Sequence, residues 1–422
     1  MPITSPAPPA ISRRHHQARV STAAAFGAQG LMFTTLLTHL PQFTDKYRVS
    51  DGTVTLIVLM VTVLAGAGSL LSEQLAGARS SRTALRCGLL VVAGAGAIIG
   101  LAPDLAVFVG GFALYGLGVG AVDAAGNMQA VAVQHRYGRS IITSFHAAWS
   151  AAAIAGALYV AGGERLDLPL PGSILPVAVV VLLIALLGGP HLLPRDTDPV
   201  PEHDQPAPDP APAGTEPTGA GPAGVGIAVT RGPLLLLGLA MACFWAVDSG
   251  VSNWSALYLR DLLHAADSTA ALGFALYQSM ALASRLGGDL AVRRFGAVAT
   301  VRFGAVIGTA GTLLVVLAPG PVVAIAGFGL AGLGLPVIAP LCFSAAGAAV
   351  RSRRQYPNPQ DEAAAVDSVV ARLNVFNYLG SLIGAVLVGA VATLADLRAG
   401  FVVPVLLAVA VFGLARAFAP AP

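Results

Sequence analysis

About twelve runs of apolar residues, each long enough to cross a bilayer, constrain this chain more than any other feature. Lipid offers the backbone no hydrogen-bond partner, so runs of this kind fold as helices. They fall near 20–43, 53–76, 83–101, 105–134, 140–162, 172–193, 232–259, 268–292, 297–318, 321–349, 365–394 and 399–419. The fourth and tenth are longer than a span needs, so their ends project or tilt. Only 11% of the 422 residues are charged, where soluble domains carry about 25%. The predicted class is an all-α integral membrane protein with about twelve transmembrane helices.

Charge placement orients the spans. With the N-terminus in the cytoplasm, Arg13, Arg14, Arg19, Arg79, Arg82, Arg86, Arg136, Arg139, Arg195, Arg231, Arg293, Arg294, Arg302, Arg351, Arg353, Arg354 and Arg416 all fall inside. Only Lys46, Arg48, Arg165, Arg260 and Arg398 fall outside. The positive-inside rule therefore puts both termini in the cytoplasm of a multi-pass protein of the inner or plasma membrane. No cleaved signal peptide is expected, because no short apolar run with a small-residue exit precedes the first span. Cys87, Cys243 and Cys342 lie in apolar runs without ligand spacing, and are expected to be small buried residues rather than metal ligands or disulfide partners.

Residues 194–231 are rich in Pro and Gly, with repelling acids and few large apolar side chains, which predicts a disordered cytoplasmic linker. The chain then divides into an N-terminal arm (1–19), a six-helix bundle (20–193), the linker (194–231), a second six-helix bundle (232–419) and a short tail (420–422). The bundles repeat. Gly111-Phe-Ala-Leu-Tyr-Gly-Leu-Gly118 returns as Gly327-Phe-Gly-Leu-Ala-Gly-Leu-Gly334, 216 positions later. The same register pairs Leu101-Ala-Pro103 with Leu317-Ala-Pro319, Arg86 with Arg302, Gly88 with Gly304, Asp45 with Asp261, and Glu73 with Asp289. An even number of spans per repeat makes the halves parallel, related by an axis along the membrane normal.

Polar residues inside the spans mark candidate sites. Asp123 and Asn127 lie well within the fourth run and, four apart, share one helix face. An aspartate near the bilayer centre costs roughly 2.5–3.5 kcal/mol on insertion scales, so it should face a polar cavity or a partner. Asp248 lies in the seventh run, with Asn253 and Trp254 toward its outer end. Trp254 is read either as a stacking surface for a substrate ring or as an interfacial belt residue. His146 and Trp149, three apart in the fifth run, align with Asn374 and Asn377 once about twelve residues are inserted in the second half. Polar groups at related depths in two halves suit a cavity at the repeat interface. Asp123, Asp248 and His146 also have a purely structural reading as groups satisfied between helices. Near the cytoplasmic mouth, Glu73, Arg285, Asp289, Arg293 and Arg294 are expected to form a charge network that closes the inner side. Solvated anchoring charges are the plain alternative.

The chain resembles the major facilitator superfamily over nearly its whole length. More narrowly it resembles the branch of MosC- and YbjJ-like proteins. The resemblance rests on GLGVGAVDAAGNMQAVAVQHRYGRSIITSFHAAWS at 116–150, WSALYLRDLL at 254–263 and SRLGGDLAVRRFG at 284–296. Asp123-x-x-x-Asn127 is similar to the acidic-x-x-x-Asn pattern in the fourth helix of fucose/proton symporters, where the acid is implicated in proton coupling. The resemblance thus implies proton coupling through Asp123, with the acid kept at Asp248. The placement of polar and aromatic groups in the spans adds expected substrate contacts at Asn127, His146, Trp149, Asn253, Trp254, Asn374 and Asn377. Two departures stand out. Asn253 occupies a place where that branch has Asp, and the loop after the second span lacks the superfamily's G-x-x-x-D-R-x-G signature.

The implied function is proton-coupled uptake of a small polar solute, a sugar, cyclitol or related amine, by alternating access. A multidrug or metabolite effluxer of the same fold is the alternative, disfavoured because no Arg occurs in the fourth span before Arg136 and the fifth lacks Pro. A non-transporting receptor or scaffold is the third reading. No phosphate loop, HExxH, CxxC or GxSxG occurs, so neither an enzyme nor a cofactor is expected. The expected partners are a small-molecule substrate, protons and lipid, with no nucleic acid, for a protein that family habit makes a monomer.

Overall fold

The computed structural model describes residues 11–194, 231–352, 356 and 358–419. The expected disordered linker lies outside them apart from its two end residues, as do residues 1–10 of the arm and the tail 420–422. All regular structure among the described residues is helical. The first group comprises α1 (Arg13–Thr38), α2 (Leu40–Tyr47), α3 (Asp51–Ala78), α4 (Ser81–Leu101), α5 (Leu105–Tyr137), α6 (Ile142–Arg165) and α7 (Leu170–Leu183). The second comprises α8 (Arg231–Leu257), α9 (Asp267–Phe295), α10 (Ala297–Val316), α11 (Pro321–Gly334), α12 (Ile338–Arg351), α13 (Pro359–Leu394), α14 (Leu397–Gly400) and α15 (Val402–Leu414).

Side-chain caps set several starts: Ser50 accepts from the Thr53 N–H, Ser80 from Thr83, Asp104 from Val107 and Asn358 from Asp361. These caps lie in polar sequence, so hydropathy alone misplaces some ends. α1 begins at Arg13 rather than near 20, capped by Ser12, and stops at Thr38. α13 begins at Pro359 rather than 365. The tenth run is broken at Leu335–Val337, where Pro336 withholds a backbone N–H and divides α11 from α12.

Eleven stretches among the described residues are long and apolar enough to cross a membrane. α9, expected as the eighth span, is not one of them, although its 29 residues reach about 43 Å at the helical rise. It is diluted by Gln278, Ser284, Arg285 and Asp289, two of which face the other group, as shown below. Outward-facing leucines and valines such as Leu56, Val63, Leu158, Val322 and Leu406 form the lipid-exposed belt. Cys342 is buried and Cys243 half-buried, but Cys87 is exposed on the outer face of α4, contrary to expectation. It shares that face with Leu90 and Leu101, so a thiol there meets lipid rather than core.

The internal repeat is carried by packing. α1 packs on α6 as α8 does on α13; α3 packs on α5 as α9 does on α11; α4 packs on α7 as α10 does on α15. The close approaches match to the residue. A Cβ on Gly116 of α5 would collide with the Val61 backbone of α3, and one on Gly332 of α11 with the Tyr277 backbone of α9. Both members of the second pair lie 216 positions beyond the first. The two groups meet chiefly through α3 against α13 and α6 against α9, again a symmetric pair.

Candidate functional site

Asp123 projects from the middle of α5 toward this seam. Gln29 of α1 donates Nε2–H to Asp123 Oδ1 at 2.5 Å, and Tyr378 of α13 donates its hydroxyl to Oδ2. Both carboxylate oxygens therefore accept from neutral donors, one in each group. Asp123 is partly accessible to solvent, whereas Gln29 and Asn127 are buried. Asn127 does not face the carboxylate head on. Its Nδ2 donates to the Asp123 backbone oxygen at 2.9 Å, and its Oδ1 accepts from His146 Nε2 at 3.1 Å. The imidazole lies between Phe26, with ring centres 5.0 Å apart, and Phe343 of the other group, at 6.4 Å.

Asp248 on α8 has a similar partner: Tyr277 of α9 donates its hydroxyl to Oδ1 at 2.8 Å. Asp248 and Ser249 are partly accessible, and one turn further out Ser252 and Asn253 are exposed. Residues 248, 249, 252 and 253 lie on one helical stripe. A polar stripe whose exposure rises toward one membrane face belongs against water rather than lipid. Asn253 itself donates Nδ2–H to the Ser249 carbonyl at 2.7 Å.

Arg285 on α9 is buried and donates Nη1–H to Ser150 of α6 at 2.5 Å, with its guanidinium 6.0 Å from the Trp149 ring centre. Trp149 in turn lies 5.8 Å from the ring of Phe33, which is exposed. Asn374 and Asn377, expected to touch substrate, are buried in the seam instead. Asn374 donates to Ser69 of α3 at 2.9 Å, and Asn377 to Asn374 at 2.6 Å. Trp254 is likewise placed away from the Asp248 stripe. Its indole N–H bonds the Ala385 carbonyl at 3.0 Å, and its ring fills the space left by Gly389, pinning α8 to α13.

The expected charge network near the linker end of the seam is two separate clamps. Arg285 and Asp289, though four apart, form no ion pair with each other among the described residues. Asp289 Oδ1 accepts from the Thr143 N–H at 3.1 Å and the Ser140 hydroxyl at 2.9 Å; Oδ2 accepts from the Ser144 N–H at 3.0 Å. α6 has no side-chain cap of its own at Ile141. Asp289 supplies that cap from the other group, and Gln134 takes the remaining Ile141 and Ile142 N–H groups. Glu73 Oε1 accepts from Ser368 at 2.5 Å and Arg372 at 2.9 Å on α13. Ser140 and Ser368 differ by the same 228 positions as His146 and Asn374, so the clamps are repeat mates. Arg293 reaches the Ser140 carbonyl at 3.4 Å, while Arg294 lies over Phe295 of its own helix.

Hydropathy missed Gln29, Tyr277, Tyr378, Ser69, Ser150, Ser368 and Arg372. The repeat held a partial signal, since Ser150 and Tyr378 are 228 apart and both accept or donate across the seam.

Two parallel helical groups that meet at a seam holding a partly accessible acid and imidazole have the architecture of a membrane carrier. Residues 22–355 match the Major Facilitator Superfamily, and the chain belongs to that superfamily. It is 28% identical over 383 residues to the transporter y4wD of Sinorhizobium fredii, covering 90% of this chain and 92% of that one. It is 24% identical over 383 residues to membrane protein MosC of Rhizobium meliloti, covering 88% and 83%. Among solved structures it is similar to FucP in the outward conformation, with TM-score 0.73 and 16% identity over 97% of this chain and all 100% of that one. The human organic anion transporter MFSD10 gives TM-score 0.70 at 16% identity, over 95% and 99%. The protein is a multi-pass membrane transporter, not an enzyme.

Proposed function

We propose that this transporter couples uptake of a small polar solute, a sugar, cyclitol or related amine, to proton entry across the plasma membrane. The observation that carries the reading is Asp123: an accessible carboxyl at mid-membrane, bonded by Gln29 and Tyr378 at the meeting of both groups. Ionised, it needs those donors; neutral, it can pass through an occluded state. The solved neighbour from E. coli is itself a fucose:proton symporter. The substrate lies on the polar stripe of Asp248, Ser249, Ser252 and Asn253, against the Phe33–Trp149 aromatic pair and beneath the reach of His146. Glu73 and Asp289 hold the linker side shut, and the two bundles rock about the seam. With the arginine-rich linker face in the cytoplasm, both termini are cytoplasmic and this arrangement faces outward.

Purified protein in proteoliposomes tests the coupling. An imposed inward proton gradient should drive uptake by the native protein. In Asp123→Asn that drive should be lost while substrate exchange at equal pH persists. Gradient-driven uptake of undiminished size in the variant would end the coupling role.

A further inference from the structure

Asp123 and Asp248 each hold a tyrosine, but the two tyrosines have different addresses. Tyr277 sits on α9 and travels with Asp248, since α8 and α9 belong to one group. Tyr378 sits on α13 and Asp123 on α5, so this bond crosses the seam. Other hydrogen bonds across the seam are Gln134–Ser344, Ser140–Asp289, Ser150–Arg285, Glu73–Ser368 and Ser69–Asn374. On α13, which starts at the linker face, Ser368, Arg372 and Asn374 all precede Tyr378. The Asp123–Tyr378 bond is thus the outermost of the hydrogen bonds that α13 makes across the seam, and its acid is partly accessible.

We infer that Tyr378 is the positioning residue that conveys the protonation state of Asp123 to the two groups. The inference rests on the coupling reading above. An ionised carboxylate accepts from Gln29 on one oxygen and from Tyr378 on the other, both with charge assistance. A proton taken from water in the cleft goes to Oδ2, because the Gln29 amide N–H still needs Oδ1 as its acceptor. Oδ2 then becomes a donor, the Tyr378 hydroxyl must turn round to accept, and a charge-assisted bond across the seam gives way to a neutral one. The seam loosens where it is nearest the cleft, and the linker side opens. Discharge of the proton on that side restores the bond and closes it again.

Among the described residues the titratable groups around Asp123 are Tyr115 on its own helix, Tyr378 on α13, and His146 on α6, the last reached through Asn127. α3 brings Ala65, Ser69 and Ser72 to α5, α4 brings Val91 and Val92, α1 brings Gln29, and α12 brings Phe343 to the His146 ring. None of these can take up or lose a proton in place of Asp123 and Tyr378.

The test uses full-length protein in lipid nanodiscs, with its three cysteines replaced and spin labels at exposed Arg139 and Gln360, one on each group at the linker face. Inter-label distances are read from mildly alkaline to mildly acidic buffer. In the otherwise native protein, acid should raise the ratio of long to short distances by roughly 10-fold or more, the scale of one hydrogen bond to a charged group. Tyr378→Phe should hold the ratio high at every pH, while Tyr277→Phe should keep the acid response. A full acid response in Tyr378→Phe, with a flat one in Asp123→Asn, overturns the inference and leaves proton coupling standing. A full acid response in Asp123→Asn instead overturns the coupling reading itself. If the phenylalanine variant does not fold, Tyr378→Asn, whose donor is too short to reach Asp123, reads the same ratio: flat supports the inference, responsive overturns it.

Discussion

Trp149 and Trp254 look equivalent in sequence, each in a membrane run a few residues from a polar group. Their surroundings give them different work. Trp254 spends its N–H on Ala385 and its ring on Gly389, so it holds two helices of one bundle together. Trp149 stays half-buried beside exposed Phe33, with the Arg285 guanidinium 6.0 Å from its ring centre. Replacing Trp254 by Phe should lower stability by about 1 kcal/mol through the lost hydrogen bond and leave the half-saturating solute concentration unchanged. Replacing Trp149 by Ala should raise that concentration roughly 2- to 10-fold, the scale of an aromatic contact. Thermal melts of purified protein and uptake titrations separate the two. The same lesson holds for the asparagines: Asn374 and Asn377 align with His146 and Trp149 by repeat, yet the fold spends them on Ser69 and on each other. No sequence pattern near these residues announces which partner each will find, because Ala385, Phe33, Arg285 and Ser69 all come from helices more than a hundred positions away.

At the scale of elements, α6 is a helix that does not end itself. Its first N–H groups are capped by Asp289 on α9 and by Gln134 on α5. A carboxylate at a helix N-terminus satisfies orphan donors and complements the positive end of the helix dipole. Since Asp289 belongs to the other bundle, the proposed rocking of the bundles would leave α6 this cap only while the linker side is closed. Asp289→Ala should remove about 1–2 kcal/mol of capping. Amide hydrogen exchange at residues 141–144 should speed accordingly, with little change at the far end of α6; unchanged exchange there would show the cap to be supplied from elsewhere. Legibility was uneven at this scale. Apolar runs located the helices, because burial in lipid depends on residue type over about 20 positions and little else. Helix ends were misplaced at Arg13 and Pro359, since caps depend on single polar side chains in exposed sequence.

For the whole molecule, the Asp289 and Glu73 clamps are repeat mates on the same side of the seam, and both bind the bundle opposite their own. Glu73→Gln with Asp289→Asn weakens both at once, so the protein should shift toward opening at the linker face. Labelling of single cysteines on that face should then rise several-fold over the native protein, and each single variant should give a smaller increase. Equal labelling in all forms would remove the clamps from the gating scheme. The membrane class, the parallel repeat and the presence of acids at mid-span were all written in the sequence, because they follow from residue type and spacing along one chain. Which acid bridges the bundles was not. Asp123 and Asp248 are both lone carboxylates in apolar helices, and only the packing of α13 against α5 and of α9 against α8 gives one a partner across the seam and the other a partner at home. A hydrogen bond depends on angstroms between distant segments, and those distances exist only once the bundles have closed on each other.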